Sequence, residues 1–196
     1  MKIIIVGVSC IGKSTVGKIL ADHLGYRFFD FDFEVERHFN SHITFLKQKY
    51  PRESTYRAKA SVVLSKILSE QPDDFVMAMP PSGLMDHYWK IIKQDDSLVT
   101  VALWDEPENI LKRITFYDDY SKPMVYEMTK ERKKYYLKEI RLDIEYFGRS
   151  YKKAKIQVAI EGRSAQQVAD ELWELLLTRD DRGSHDPQAA NAEKAL

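Results

Sequence analysis

The sequence predicts an α/β fold, with a five-stranded, mostly parallel sheet between two layers of helices in a single domain over residues 1–178. Three observations carry this expectation. Short apolar runs alternate along the chain with longer segments of helical period, the pattern that a parallel sheet with crossover helices produces. The first run, Ile3 to Val6, is β-branched without polar interruption, as a strand covered on both faces must be. Finally, 196 residues with 44% apolar content suffice for one sizeable core and little more.

The elements follow in order. Strand one is Ile3 to Val6, ended by Gly7. A helix is expected from about Lys13, with Val16, Ile19, Leu20 and Leu24 along one side and Gly25 as its stop. Tyr26 to Phe29 makes a second strand, which opens into an acidic, aromatic segment over 30–36. Helices are expected over about 33–50 and 55–70, the latter carrying Val63, Leu64, Ile67 and Leu68 at helical spacing. Phe75 to Met79 is a third strand, broken by Pro80-Pro81. Leu98 to Trp104 is a fourth, followed by a helix through Ile110 and Leu111. A long charged helix spans about 127–150, and Lys155 to Ile160 forms the fifth strand. Ser164 opens the last helix, with Gln167 completing a capping box and Val168, Leu172, Leu175 and Leu176 as the buried stripe. From Arg179 the chain turns polar, and 179–196 reads as a flexible tail.

Lys plus Arg number 30 and Asp plus Glu number 30. That balance argues against a broad basic face for nucleic acid, but not against a local cationic pocket. The single cysteine, Cys10, cannot form an internal disulfide, and no Cys/His spacing resembles a zinc site. No apolar stretch is long enough for a signal-peptide core or a membrane span. The expectation is a soluble cytoplasmic protein, monomeric or weakly self-associating, with no nucleic-acid or membrane partner.

The strongest motif is Gly7-Val8-Ser9-Cys10-Ile11-Gly12-Lys13-Ser14-Thr15, which satisfies G-x-x-x-x-G-K-S between a strand and a helix. Glycines let the backbone curl until N–H groups converge on phosphate oxygens, and the following helix adds its positive N-terminal end. Gly7, Ser9, Cys10, Ile11, Gly12, Lys13, Ser14 and Thr15 are therefore the expected nucleotide-binding residues. Lys13 would reach the β- and γ-phosphates of ATP, and the Ser14 hydroxyl would sit on Mg²⁺. Cys10 is read as a small filler residue rather than a redox switch.

A phosphate loop alone does not name a reaction. Helicases and transport ATPases need more machinery than this length allows. A GTPase would need a base-reading N-K-x-D, and the nearest position, Leu103-Trp104-Asp105, does not match. What remains is a three-layer P-loop fold of the nucleoside-monophosphate-kinase type, passing a γ-phosphoryl group to a small-molecule acceptor. Asp30 and Asp32, directly after strand two, strengthen this reading. Phosphoryl transfer to a hydroxyl needs one group at the metal and another to orient and deprotonate the nucleophile. Parallel sheets place ligands at this carboxyl edge. The same carboxylates could instead cap the next helix.

Strand, phosphate loop, helix ending at Gly25, then Phe29-Asp30-x-Asp32-x-x-Val35-Glu36 resembles the shikimate kinases, small P-loop enzymes that phosphorylate a hydroxyl of a cyclohexene carboxylic acid. The resemblance covers about residues 1–177. It implies that Asp30 assists the Mg²⁺ shell and that Asp32 orients or deprotonates the acceptor hydroxyl. Tyr56-Arg57 matches the family's aromatic-arginine pair at the acceptor carboxylate. Arg113 falls near its adenine-side arginine, and Lys122-Pro123-Met124 sits where its lid carries Arg-Pro-Leu. Glu131-Arg132-x-x-Tyr135-Tyr136 resembles the segment with the second carboxylate arginine, Arg141 being a weaker candidate for that post. The implied catalytic residues are Lys13, Asp32 and Lys122, and the implied acceptor-binding residues are Asp32, Arg57, Gly83 and Arg132. Helices over about 33–70 would bind the acceptor, and a mobile lid over about 115–130 would exclude water.

Departures from the family cluster on the acceptor side and in the lid. Met79-Pro80-Pro81-Ser82-Gly83 replaces a glycine-rich loop, removing N–H donors and leaving only Gly83. Ala60 stands where the acceptor arginine has an acidic partner. Lys122 keeps the lid charge without the planar fork of arginine. The helix after Tyr136 runs past the point where the family enters its fifth strand. Shikimate is the leading acceptor; another cyclitol, a sugar acid or a nucleoside is the first alternative. A nucleotide-responsive regulatory protein without turnover is a second, and a nucleic-acid-linked ATPase a weaker third. Tyr117, Tyr120, Tyr126, Tyr135 and Tyr136 are read as lid and helix packing rather than a stacking platform.

Overall fold

A computed structural model describes residues 1–71, 73–120 and 122–183. In chain order the strands are β1 (Lys2–Val6), β2 (Arg27–Asp30), β3 (Phe75–Ala78), β4 (Leu98–Trp104), β5 (Phe116–Tyr117), β6 (Pro123–Met124) and β7 (Ile156–Ala159). The helices are α1 (Lys13–Leu24), α2 (Phe31–Phe39), α3 (Ile43–Lys49), α4 (Glu53–Glu70), α5 (Asp86–Ile92), α6 (Pro107–Lys112), α7 (Lys130–Tyr151) and α8 (Ala165–Gly183).

Five strands form one sheet in the order β2-β3-β1-β4-β7, with every neighbour parallel. β1 is central, with Ile3 opposite both Val76 and Val99. Ile3, Ile4, Ile5 and Val6 are wholly buried, which is why this run shows no alternation. Right-handed crossovers fix the layers. The β1-to-β2 connection runs one way along the sheet, and those leaving β2, β3 and β4 run the other way. That rule puts α1 on the face opposite α4 to α7, and α8, which follows the last strand, packs back beside α1. The packing agrees: α1 lies against α8, α4 against α5, and α6 against α7. β1 therefore ends where neighbouring connections diverge, the point at which open α/β sheets form a ligand crevice.

The expected elements recur with local differences. The single helix expected over 33–50 is two, because Asn40 takes φ 48° and caps α2, and His42 starts α3. α5, which buries Tyr88 and Ile92, was not among the expected elements. The Ser164–Gln167 capping box forms, with each residue's side chain accepting from the other's backbone N–H. Val168, Leu172 and Leu176 are buried below it, but Leu175 is 40% exposed. α8 continues to Gly183, past the expected start of the tail at Arg179; the rest of that tail lies outside the described residues. Among the described residues no helix is long and apolar enough to cross a membrane.

Candidate active site

The loop from β1 to α1 curls at the switch point. A Cβ on Gly7 would lie 2.9 Å from Ile11 Cγ2 and 3.0 Å from the Leu103 carbonyl, so the turn is too tight for a side chain. Gly12 takes φ 109° and Cys10 φ 59°. Gly12 caps α1 without a side-chain acceptor, so the leading N–H groups of the helix remain available to an anion. Lys13 Nζ donates to the carbonyls of Gly7 (3.0 Å) and Val8 (2.9 Å), folding the ammonium over the loop. Burial pulls its pKa down to about 8, against the opposing charges of Asp32, Cys10 and Asp30.

Asp30 ends β2 and uses its two oxygens differently. Oδ1 accepts from the N–H groups of Asp32 (3.2 Å) and Phe33 (3.5 Å), which caps α2. Oδ2 accepts from Ser14 Oγ at 2.6 Å. The capping and site readings of Asp30 are thus compatible. Ser14 and Asp30 together offer hard oxygen donors beside the phosphate loop, a donor set that suits Mg²⁺. Asp32, in the first turn of α2, opens onto the same cleft. The surrounding protein, and then the Asp30 carboxylate, push its carboxyl up to about 6, while Lys13 and Lys47 oppose the shift.

This cleft has a volume of about 580 Å³ and is lined by the loop, Asp30, Asp32, Pro80, Pro81, Arg113 and Arg163. Arg113 is held there by Asp105, which also accepts from Asn109 Nδ2 at 3.0 Å. Burial alone would raise the Asp105 carboxyl. Hydrogen bonds from Asn109, Arg113 and the Glu106 N–H together hold it below the usual carboxylate range. Asp105, Asn109 and Arg163 were not expected from the sequence; strand-end Asp105 carried a signal only as a failed GTPase motif. The segment expected to form a lid carries the β5–β6 hairpin. Tyr117 from it lines the cleft, and Tyr120 sets its ring edge-on to His42 and Phe45, each at 5.9 Å between centroids. Phe116 packs on Tyr126 and Tyr136.

Arg57, expected at the acceptor, is buried, and its Nε and Nη2 donate to Asp86 Oδ2 at 3.1 and 2.8 Å. Glu53 lies 3.5 Å from Nη1. Ala60 therefore does not leave Arg57 without an acidic partner: α5, absent from the sequence reading, supplies one. Replacing Asp86 by Ala should destabilise the fold by about 1–3 kcal/mol, the cost of leaving a hydrogen-bonded charge without its partner. Asp86→Asn should cost less, because it keeps an acceptor oxygen and tolerates the φ of 43° at this position. Urea denaturation of the two variants checks the order.

The remaining expected residues sit elsewhere. Gly83 is buried in the turn after β3, where a Cβ would come within 2.6 Å of Met79 Cβ, and its N–H donates to Pro80 O at 2.8 Å. It serves that turn and does not line the cleft. Lys122 lies exposed on the hairpin, its N–H donating to Asp118 Oδ1 at 2.9 Å. Arg132 donates to the Glu127 carbonyl at 2.9 Å and covers the Tyr126 ring at 4.3 Å. Arg141 pairs with Glu108 at 2.8 Å across α6 and α7. Arg57, Lys122, Arg132 and Arg141 are not among the residues lining the cleft.

A phosphate loop at the switch point of a five-stranded parallel sheet, with Ser14, Asp30 and Asp32 on one cleft, is the arrangement of a small P-loop kinase. The family model for shikimate kinase matches residues 9–177. The chain belongs to the shikimate kinase family. It is 26% identical to the shikimate kinase of Persephonella marina over 87% of this chain and 95% of that one. Its fold resembles the shikimate kinase of Aquifex aeolicus (TM-score 0.65, 27% identity, 93% and 98% of the two chains). It also resembles that of Bacteroides thetaiotaomicron (TM-score 0.73, 20% identity, 90% and 98%).

Proposed function

We propose that this kinase transfers the γ-phosphoryl group of ATP, with Mg²⁺, to a ring hydroxyl of shikimate. The observation that carries the reading is Asp32: a carboxylate with its pKa raised to about 6, sharing one cleft with Lys13 and the Ser14–Asp30 pair. Ser14 and Asp30 would hold Mg²⁺, which would supply positive charge against the negative charge that develops during transfer. The protein's part is positioning and electrostatics. The loop N–H groups and α1 hold the phosphates. Lys13 carries positive charge to the side where negative charge grows. Asp32 orients the acceptor hydroxyl and takes its proton, a task suited to a base whose pKa lies just below the working pH. Arg113, braced by Asp105, flanks the nucleotide. Arg57, braced by Asp86, is the cation the resemblance assigns to the acceptor's anionic group.

The test is ADP release from purified protein with ATP, Mg²⁺ and shikimate. Turnover on the order of 1–100 per second supports the reading. Absence of turnover with ATP binding intact overturns shikimate as acceptor. Lid closure is open to a separate check. Tyr120→Ala removes two edge-on ring contacts that join the hairpin to α3, each worth about 0.5–1.5 kcal/mol. The expected result is about a two- to tenfold loss in kcat/KM for the acceptor, with more ATP hydrolysed per acceptor phosphorylated.

A further inference from the structure

A second cavity, of about 590 Å³, lies between α6, the β5–β6 hairpin and the start of α7. It is about the size of the phosphate cleft and shares a wall with it. Arg113, Thr115 and Tyr117 line the cleft, whereas Ile114, Thr115 and Phe116 line the second cavity. An extended chain produces this alternation, because successive side chains point to opposite sides. The segment 113–117 therefore presents one face to the phosphate loop and the other to a space outside the site described above.

The rest of the lining sets the chemistry. Leu111 contributes from α6, and Met124, Tyr126 and Met128 stand at the cavity 47, 40 and 37% exposed. Phe116 meets Tyr126 at 4.5 Å between ring centroids. Two thioethers and two rings suit a flat aromatic body, through sulfur–ring and ring–ring contacts. The charges at the same cavity do not balance. Glu108 is committed to Arg141 at 2.8 Å. Lys112 Nζ donates to the neutral Asn109 Oδ1 at 3.2 Å, and Lys133 on α7 adds a second ammonium. Both lysines are exposed, so their flexible stems can turn the charge toward an anion at the rim. An apolar cavity with a few convergent polar groups is the usual form of a small-molecule site.

We propose that this cavity binds an aromatic carboxylate and that its occupancy tightens nucleotide binding in the cleft. The ring system would lie between Leu111, Phe116 and Met128, with the carboxylate at Lys112 and Lys133. A ligand seated there joins α6 to the hairpin and holds the shared wall from its far side, with Arg113 and Tyr117 on the cleft. ATP then meets a wall already fixed, and fixing a binding segment in advance raises affinity. The coupling is reciprocal, so ATP tightens the second ligand by the same factor. The cavity's own ligand does not depend on which acceptor the kinase uses; the coupling rests on the reading of the cleft as an ATP site.

The experiment is equilibrium dialysis of the full chain with 2-naphthoate, and with 2-naphthylmethanol as its uncharged counterpart. 2-Naphthoate is expected to bind with a Kd of about 0.05–1 mM, and the alcohol about fivefold more weakly. Met128→Glu sets a carboxylate at the cavity and should abolish 2-naphthoate binding, while the Kd for ATP alone stays unchanged. Lys112→Met combined with Lys133→Met should erase the preference for the acid over the alcohol. Saturating 2-naphthoate should lower the Kd for ATP about fivefold in the wild type, and not in Met128→Glu. No binding to the wild type, or binding that survives Met128→Glu, overturns the site. A raised Kd for ATP means competition within the cleft and overturns it too, and an unchanged Kd overturns the coupling. A wild-type chain that binds 2-naphthoate but no ATP overturns the nucleotide reading and the coupling with it, and supports the site.

Discussion

Asp32→Asn is expected to lower kcat by about a hundred- to ten-thousandfold, the usual range for losing a general base, while ATP binding persists. The substitution is close to isosteric. It keeps the backbone N–H of residue 32 on Asp30 Oδ1, and the Ser14–Asp30 contact does not involve it. Only the proton acceptor disappears. The wild-type pH profile supplies the companion test. Asp32 must be ionised to act, and its pKa is raised to about 6 by burial and by Asp30. As pH falls through about 6 the carboxylate protonates, so kcat/KM should decline there with a slope of one. In Asp32→Asn the residual activity should lose this acidic limb. Unaltered activity in the variant, or a wild-type profile flat across this region, would remove Asp32 from the chemistry.

The sheet and the nucleotide half of the site were legible because they depend on local rules. A strand buried on both faces must be uniformly apolar, and a phosphate cradle must have glycines at fixed offsets. Ile3 to Val6 and Gly7 to Thr15 satisfy both within one short segment. The Asp30-x-Asp32 pair was legible for the same reason, since a strand end and a helix start fix both carboxylates. The acceptor half was not. The partner of Arg57 is 29 residues away on a short helix, and nothing in the local pattern around Ala60 announces it. Asn40 looks like an ordinary polar residue until its left-handed backbone divides one expected helix into two. That break turns α3 so that Lys47 comes to the ring of Tyr56, a placement that helical spacing over 33–50 does not predict. The arginines from 132 onward were read by motif spacing alone. Their positions instead follow from α7 packing on α6, which takes Arg141 to Glu108.

Lys13→Met should lower kcat about a hundred- to a thousandfold, the range for removing one preorganised stabiliser of developing charge, without costing the fold any stability. Burial lowers the pKa of the Lys13 ammonium from 10.5 to about 8. The folded-state value thus lies below the unfolded one, so the charged form opposes folding. That cost is full below about 8 and fades as pH climbs toward 10.5. At neutral pH the protein holds the ammonium against this cost, with the carbonyls of Gly7 and Val8 as its hydrogen-bond acceptors. A methionine side chain of similar length removes both the charge and its desolvation, while the two carbonyls lose a donor. The expected outcome is a thermal midpoint equal to or above that of the wild type near pH 7, together with the lost turnover. The difference should narrow above pH 8, where wild-type Lys13 is already neutral in the folded chain. A lower midpoint would mean that the two carbonyl contacts outweigh burial and that Lys13 also supports the loop. Retained turnover would place the decisive positive charge elsewhere in the cleft.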